Sequence, residues 1–255
     1  MNYSTYNMIN IQSRYFGSLD YNEKIQDVRI MGVYEYHRDF YGAIEKADSL
    51  LIANEIFDNY ISELFELNYK IKGKKVGNLY KILMGWMFNS NGFEGAVLKG
   101  WVESRFGIIP NFHKVKIINI ENESYYEYLV EKMSQRVNKN AIYSQLDLLY
   151  HYTQVVITKF FPSYRPKLNL YRGIYNLEEN EIIKWLSKKI AIMGHNNILS
   201  FTAVKNIAEQ FGDYILKIDV PYTKIVFFSD VTPLHHFSGE QEFIIIGGEY
   251  LTEII

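Results

Sequence analysis

The sequence Glu240-Gln241-Glu242 opens an apolar run, Phe243-Ile244-Ile245-Ile246. In an extended strand the side chains at i and i+2 share a face, so both carboxylates are expected to project into one cleft. Two like charges held close cost energy unless a cation, a donor or a proton intervenes. A site that binds a cationic group, or stabilises a developing positive charge, supplies that compensation. Upstream, Leu170-Tyr171-Arg172-Gly173 reads as a strand end. Its arginine has a forked guanidinium suited to phosphate, and its glycine lets a backbone come close to a ligand. Between these segments, Ser200-Phe201-Thr202 ends another apolar run, with two hydroxyls on one face and the aromatic ring opposite. Hydroxyls so placed can orient a carboxylate or bind an amide. Taken singly, each feature also has a plain structural reading: a solvated strand start, a surface ion pair, ordinary strand alternation.

Several other chemistries find no support. His235-His236 has no carboxylate or cysteine at metal-ligand spacing, so a zinc site is not expected. Gly247-Gly248 lacks the spacing of a dinucleotide fingerprint, and there is no P-loop, nucleophile elbow or kinase set. The absence of cysteine excludes disulfides, thiolate metal sites and a cysteine nucleophile, and fits a reducing cytoplasm. Lys and Arg total 27 against 29 Asp and Glu, a formal charge of -2. No global basic field follows, which argues against a dedicated nucleic-acid binder. Residues 1–11 are polar and rich in Asn and Tyr, unlike a signal peptide. No apolar stretch approaches the roughly 20 residues of a membrane helix, so no membrane partner is expected.

These groups need elements to hold them. A chain of 255 residues suits one large domain or two intimately packed halves, and 22 Tyr with 16 Phe predict an aromatic core. Its character changes near residue 165. Before that point helical spacing dominates: 43–67, with Ile44, Leu50, Leu51, Ile56, Ile61 and Leu64 on a broad apolar face and possible breaks, then 80–88, 94–106, 124–133 and 141–160. A basic stretch, 70–75, reads as a loop, and Asn89-Ser90-Asn91-Gly92 as a turn. After Pro166 the pattern becomes mainly strands at 168–171, 198–202, 214–220, 224–228 and 242–246. Helices are expected at 180–193 and 204–211. The reading is an α+β fold, with a mainly helical part (1–165) preceding a β core (166–255) in one compact unit.

Order adds what the pieces lack. An Arg at a strand end, a Ser-x-Thr strand and a late Glu-x-Glu strand resemble the R-S-E arrangement of mono-ADP-ribosyltransferases, in the Glu-x-Glu form of the arginine-modifying branch. A longer block is more specific: Gly85-Trp86-Met87-Phe88-Asn89-Ser90-Asn91-Gly92 followed by Glu94-Gly95-Ala96-Val97-Leu98-Lys99-Gly100-Trp101-Val102-Glu103-Ser104-Arg105-Phe106-Gly107. It is similar to the dinitrogenase reductase ADP-ribosyltransferase family. So are Gly194-His195-Asn196-Asn197 and the segment 239–250.

The resemblance implies a mono-ADP-ribosyltransferase fold with a mainly antiparallel β-sandwich core, and NAD⁺ as co-substrate with no metal required. By the same resemblance Arg172 holds the NAD⁺ phosphates, with Tyr171, Gly173, Ser200, Phe201 and Thr202 in the cofactor site. Ser200 positions the catalytic glutamate, and Thr202 lines the nicotinamide end. Glu242 bonds the ribose 2′-hydroxyl and stabilises an oxocarbenium-like transition state. Glu240 orients the acceptor guanidinium, and the loop 229–239 meets the target, with Phe237 a contact. The expected partner is a protein, dinitrogenase reductase in the first instance, with a regulatory partner acting through the helical part. Two alternatives stay open at this level. One is a toxin or phage-defence effector with an antitoxin partner, acting on nucleic acid or another protein. The other is a binding module that has lost turnover. The segment 89–106 carries no evident catalytic group and reads either as a helix packed under the site or as a target contact.

Overall fold

The computed structural model describes residues 1–67, 79–177, 180–231 and 241–255, together with the backbone of two short strands within 70–75. The fold is α+β. Ten α-helices lie among the described residues: α1 Ser13–Phe16, α2 Leu19–Glu23, α3 Val33–Tyr36, α4 Arg38–Lys46, α5 Leu50–Leu64, α6 Leu79–Phe88, α7 Phe93–Phe106, α8 Glu123–Lys132, α9 Lys139–Phe160 and α10 Lys205–Ala208. Six two-residue strands accompany the front part: β1 Asn2–Tyr3, β2 Lys70–Ile71, β3 Lys74–Lys75, β4 Ile108–Ile109, β5 Phe112–His113 and β6 Val115–Lys116. The long strands follow: β7 Lys167–Ile174, β8 Glu181–Trp185, β9 Ile190–Thr202, β10 Tyr214–Pro221, β11 Ile225–Phe228 and β12 Glu242–Ile254.

Local chemistry accounts for the helix boundaries. Ser49 accepts a bond from Ile52 N at the start of α5, Asn122 from Ser124 N at α8, and Asn138 from Ala141 N at α9. The 43–67 pattern is thus cut in two at residues 47–49. The buried face of α5 is Ala53, Asn54, Phe57 and Ile61, narrower than the sequence suggests, because Leu51 and Leu64 point to solvent. The basic stretch 70–75 is not a plain loop; Lys70 pairs with Lys75 and Ile71 with Lys74.

The larger correction concerns 180–193, expected to be helical. It forms a hairpin instead, with Ile182 opposite Met193 and Trp185 opposite Ala191. Ser187 Oγ accepts from Ile190 N at 3.1 Å in the turn. A short apolar run rich in Ile fits either period, and here pairing with β12 decides.

The long strands form one antiparallel sheet in the order β11-β12-β10-β7-β9-β8, and β12 also pairs with β9 along most of its length. Through β12–β10, β10–β7, β7–β9 and β9–β12 the pairings close into a ring. At the β7–β9 junction a single bridge joins Tyr171 to Thr202, so the strand carrying Arg172 meets the end of the strand carrying Ser200. One hydrophobic cluster runs from Ile9 and Phe57 through Trp101 and Tyr150 to Ile244 and Tyr250, drawing on both halves of the chain. Aromatic packing is prominent in it: Phe228 stacks on Phe243 at 5.3 Å, with Phe161 and Tyr164 edge-on.

Candidate active site

Strand register builds one side of the pocket. Glu242 faces Thr202 and Ile244 faces Ser200, which makes Ser200 and Glu242 diagonal neighbours on one face. The Ser200 hydroxyl donates to Glu242 Oε1, and the Glu242 carboxylate is almost wholly buried. The Glu242 backbone is fixed as well: its N–H donates to Ser229 Oγ at 2.9 Å. Arg172 Nη1 donates to the Ser200 carbonyl at 2.8 Å. Carboxylate, hydroxyl and guanidinium thus meet across three strands far apart in sequence.

These groups line a cavity of about 450 Å³, a size typical of ligand sites. Tyr171, Arg172, Gly173, Ser200, Phe201, Thr202 and Glu242 all contribute to its wall. Some do so in ways the sequence does not show. Phe201 is a core residue edge-on to His195. Thr202 Oγ1 accepts from Val204 N at 3.2 Å and so ties the strand end to the turn before α10. A Cβ on Gly173 would stand 2.0 Å from the Ala208 carbonyl oxygen, so this glycine admits α10 as well as bordering the cavity. Gly247 is a packing glycine too: a Cβ there would meet the Asn196 carbonyl oxygen at 1.6 Å, beside the bulge between Ile246 and Gly248.

Glu240, Phe237 and His235-His236 lie outside the described residues. Strand β12 begins at Glu242, and Gln241 has a left-handed backbone, φ 43°. The alternation argument for a carboxylate pair on one face therefore has no strand to run along at Gln241.

The helices build the other side. Trp86, Met87, Ser90, Asn91 and Lys99 line the same cavity, joined by Phe112 and Asn196. Helix α7 is buried from Gly95 through Val102 and sits beneath the site. It is clamped from two directions. Asp147 of α9 accepts from Trp101 Nε1 at 2.7 Å and pairs with Arg105 at 2.9 Å. Asn197 of β9 donates from Nδ2 to the carbonyls of Lys99 and Ile108, both at 2.9 Å. Its neighbour Asn196 donates to the Phe112 carbonyl at 2.9 Å and accepts from Asn111 N at 3.2 Å. The pair Asn196-Asn197 thus ties β9 to α7 and to the segment at 108–112. Lys99 escapes a reading for catalytic spacing because it sits in an apolar helical segment, where a lysine signals nothing until its burial is known.

Electrostatics at the site follow from burial. Desolvation brings the Lys99 ammonium down to about 7, with Glu131 opposing the shift and Arg172 adding to it. The His195 imidazole, behind the cavity wall, is pushed down to about 3 by burial first and by the Arg172 and Lys224 charges second. It stays neutral and meets Thr252 Oγ1 at 3.1 Å. Among the described residues no group of three or more His, Cys, Asp or Glu side chains is placed to hold a metal ion. No helix among them is long and apolar enough to cross a membrane.

A pocket that sets a hydroxyl-held carboxylate beside a guanidinium suits group transfer from an anionic sugar donor. Comparison with known proteins gives that class a family. A family model described as dinitrogenase reductase ADP-ribosyltransferase (DRAT) matches residues 6–254, and the chain belongs to this family. It is similar to the NAD(+)--dinitrogen-reductase ADP-D-ribosyltransferase of Rhodospirillum rubrum, with 34% identity over 257 residues that cover 97% of this chain and 93% of that protein. No solved structure matches the chain.

Proposed function

We propose that this chain transfers ADP-ribose from NAD⁺ to an arginine of dinitrogenase reductase, releasing nicotinamide. The observation that carries the reading is the Ser200–Glu242 hydrogen bond with Arg172 tied to the same residue, inside one cavity. The residues fit the substrate: a guanidinium for phosphate oxygens and a buried carboxylate for the ribose.

In this reading Glu242 bonds the ribose 2′-hydroxyl, and its charge is worth most as the sugar becomes oxocarbenium-like. Burial strengthens that interaction, and the Ser200 hydroxyl holds the carboxylate in place. As the glycosidic bond breaks, its electron pair goes to the nicotinamide nitrogen. A guanidinium nitrogen of the acceptor then bonds the anomeric carbon and gives up one proton. Glu240 holds and aligns that guanidinium, with Phe237 a contact for the acceptor protein. Arg172 grips the phosphates, Tyr171, Gly173 and Phe201 shape the cavity, and Thr202 borders the nicotinamide end. No step is assigned to a metal. The sheet is read as the β-sandwich core of a mono-ADP-ribosyltransferase fold spanning 166–255, and residues 1–165 as the part that meets target or regulator. Dependence on cellular NAD⁺ fits a cytoplasmic location.

The test is incubation of the purified protein with labelled NAD⁺ and dinitrogenase reductase, followed by fragmentation mass spectrometry. Label on an arginine of dinitrogenase reductase is expected. An unlabelled dinitrogenase reductase beside another, labelled protein would overturn the acceptor assignment.

A further inference from the structure

Lys99 is almost wholly buried and borders the cavity that holds Arg172 and Glu242. Its Nζ donates to Asn91 Oδ1 at 2.9 Å and lies 3.3 Å from His113 Nδ1. The other ring nitrogen, His113 Nε2, sits 2.9 Å from Glu131 Oε2. That carboxylate accepts a hydrogen bond from Nε2–H, which leaves Nδ1 of the neutral ring as an acceptor for Lys99. Burial lowers the His113 basicity and favours this neutral form. An ammonium has three N–H groups, and Asn91 and His113 take two of them. Among the described residues no carboxylate lies within ion-pair distance of Lys99.

A lysine ordinarily runs its stem along apolar surface and puts its head in water. This one ends instead between a carboxamide and an imidazole in the wall of a cavity, with its own carbonyl gripped by Asn197. A buried cation without a counter-charge is costly, and a ligand anion offsets that cost. The cavity's other cation, Arg172, is the group already assigned to phosphate.

We propose that Lys99 is the second cation of the dinucleotide phosphate site: with Arg172 it binds the pyrophosphate of NAD⁺ through its third N–H, and so sets affinity for NAD⁺ rather than the bond-breaking step. The proposal rests on the reading of the cavity as an NAD⁺ site. It makes the helical block around residues 90–99 part of the nucleotide pocket, where the strand motif alone supplies one cation. A bound phosphate also favours the protonated amine, which burial otherwise brings to about 7. The charged or titratable groups around that amine are Glu131, Arg172, His113 and Lys114.

The experiment compares Lys99→Met, which keeps the length and apolar stem, with the wild-type chain. ADP-ribose, which carries the pyrophosphate, is titrated calorimetrically, and nicotinamide, which lacks it, is measured as a product inhibitor. Lys99→Met is expected to weaken ADP-ribose binding roughly 10- to 100-fold, the worth of one charge-assisted hydrogen bond. The KM for NAD⁺ rises by a similar factor, with kcat and nicotinamide inhibition close to wild type. Unchanged ADP-ribose affinity in a folded Lys99→Met protein, or equal weakening of ADP-ribose and nicotinamide, overturns the assignment. Asn91→Ala leaves the charge and removes one of its holders, and it decides the matter if Lys99→Met does not fold. A smaller loss of ADP-ribose affinity with unchanged nicotinamide inhibition is expected, and no loss counts against the proposal. Nicotinamide release by the wild-type chain tests the parent reading separately. With that activity present, retained ADP-ribose binding in Lys99→Met removes the Lys99 role alone.

Discussion

The two sides of the cavity are built on different principles. On the sheet side, Arg172, Ser200 and Glu242 are placed by strand register, and each side chain is fixed by a neighbour one strand away. On the helix side, Lys99 is placed by burial: α7 is packed around its circumference and pinned by Asp147 and by Asn197. The sheet side combines a carboxylate suited to a developing positive charge, Glu242, with a guanidinium suited to phosphate, Arg172. The helix side holds a cation ready for a negative one. In the proposed reading the sheet supplies the reacting groups and one phosphate-binding cation, Arg172, and the helix side supplies a second, Lys99.

Substitutions at each side break or sharpen that contrast. The largest effect is expected for Glu242→Gln, which keeps shape and removes charge. Its kcat for both NAD⁺ cleavage and transfer should fall on the order of 10³-fold, with little change in ADP-ribose binding. A residual activity near wild type would leave the sheet side without its chemistry. Next comes Glu240→Gln, measured as nicotinamide release against arginine labelling. Transfer should drop by about 10²-fold while cleavage holds within a few-fold if, as proposed, one group aligns the acceptor and the other the sugar. Equal loss of both would merge the two roles. Ser200→Ala removes the hydroxyl that holds Glu242, and a loss of about 10- to 100-fold, mainly in kcat, is expected from steady-state kinetics. A change confined to KM would move Ser200 to the binding side.

The smallest effect on activity is expected at a second buried lysine. Lys224 is also brought down to about 7 by burial, from the ordinary lysine value of 10.5. It lies outside the cavity, with its Nζ 4.7 Å from the Tyr250 ring centre, 5.4 Å from that of Phe16 and 5.5 Å from that of Tyr21. Those aromatic faces offset part of the desolvation cost. Because its folded value is depressed, the unfolded chain binds more protons between pH 7 and 10.5, and stability rises with pH across that window. Lys224→Met should flatten the rise in thermal or urea unfolding and leave the KM for NAD⁺ unchanged. A KM shift as large as that of Lys99→Met would erase the distinction between a pocket lysine and a core one.

Much of the sheet side was legible in the sequence because strand alternation is local. Ser200 and Thr202 flank an inward Phe201, as the period of two requires, whereas Arg172, expected at a strand end, lies within β7, which continues to Ile174. The helical block at 94–106 was equally plain. Less legible was 180–193, where Ile182, Ile183, Ile190 and Ile192 satisfy either period and a partner strand chose between them. Gly173 was visible as a close-approach position, but not that α10 is among the groups that approach it. Asn196 and Asn197 carried no chemical meaning until their carboxamides were seen holding α7 and the segment at 111–112.

The sequence by itself determined the strand character of the segments that carry Arg172, Ser200 and Glu242 and the helical character of 94–106, because residue identity and local spacing encode them. Tertiary structure alone decided that α7 puts Lys99 into the cavity of Ser200 and Glu242, and that Asn197 holds α7 there. The reason is physical. Periodicity reports which way a side chain points within its own element, whereas burial, partners and the loss of water around a charge depend on what other elements bring to it.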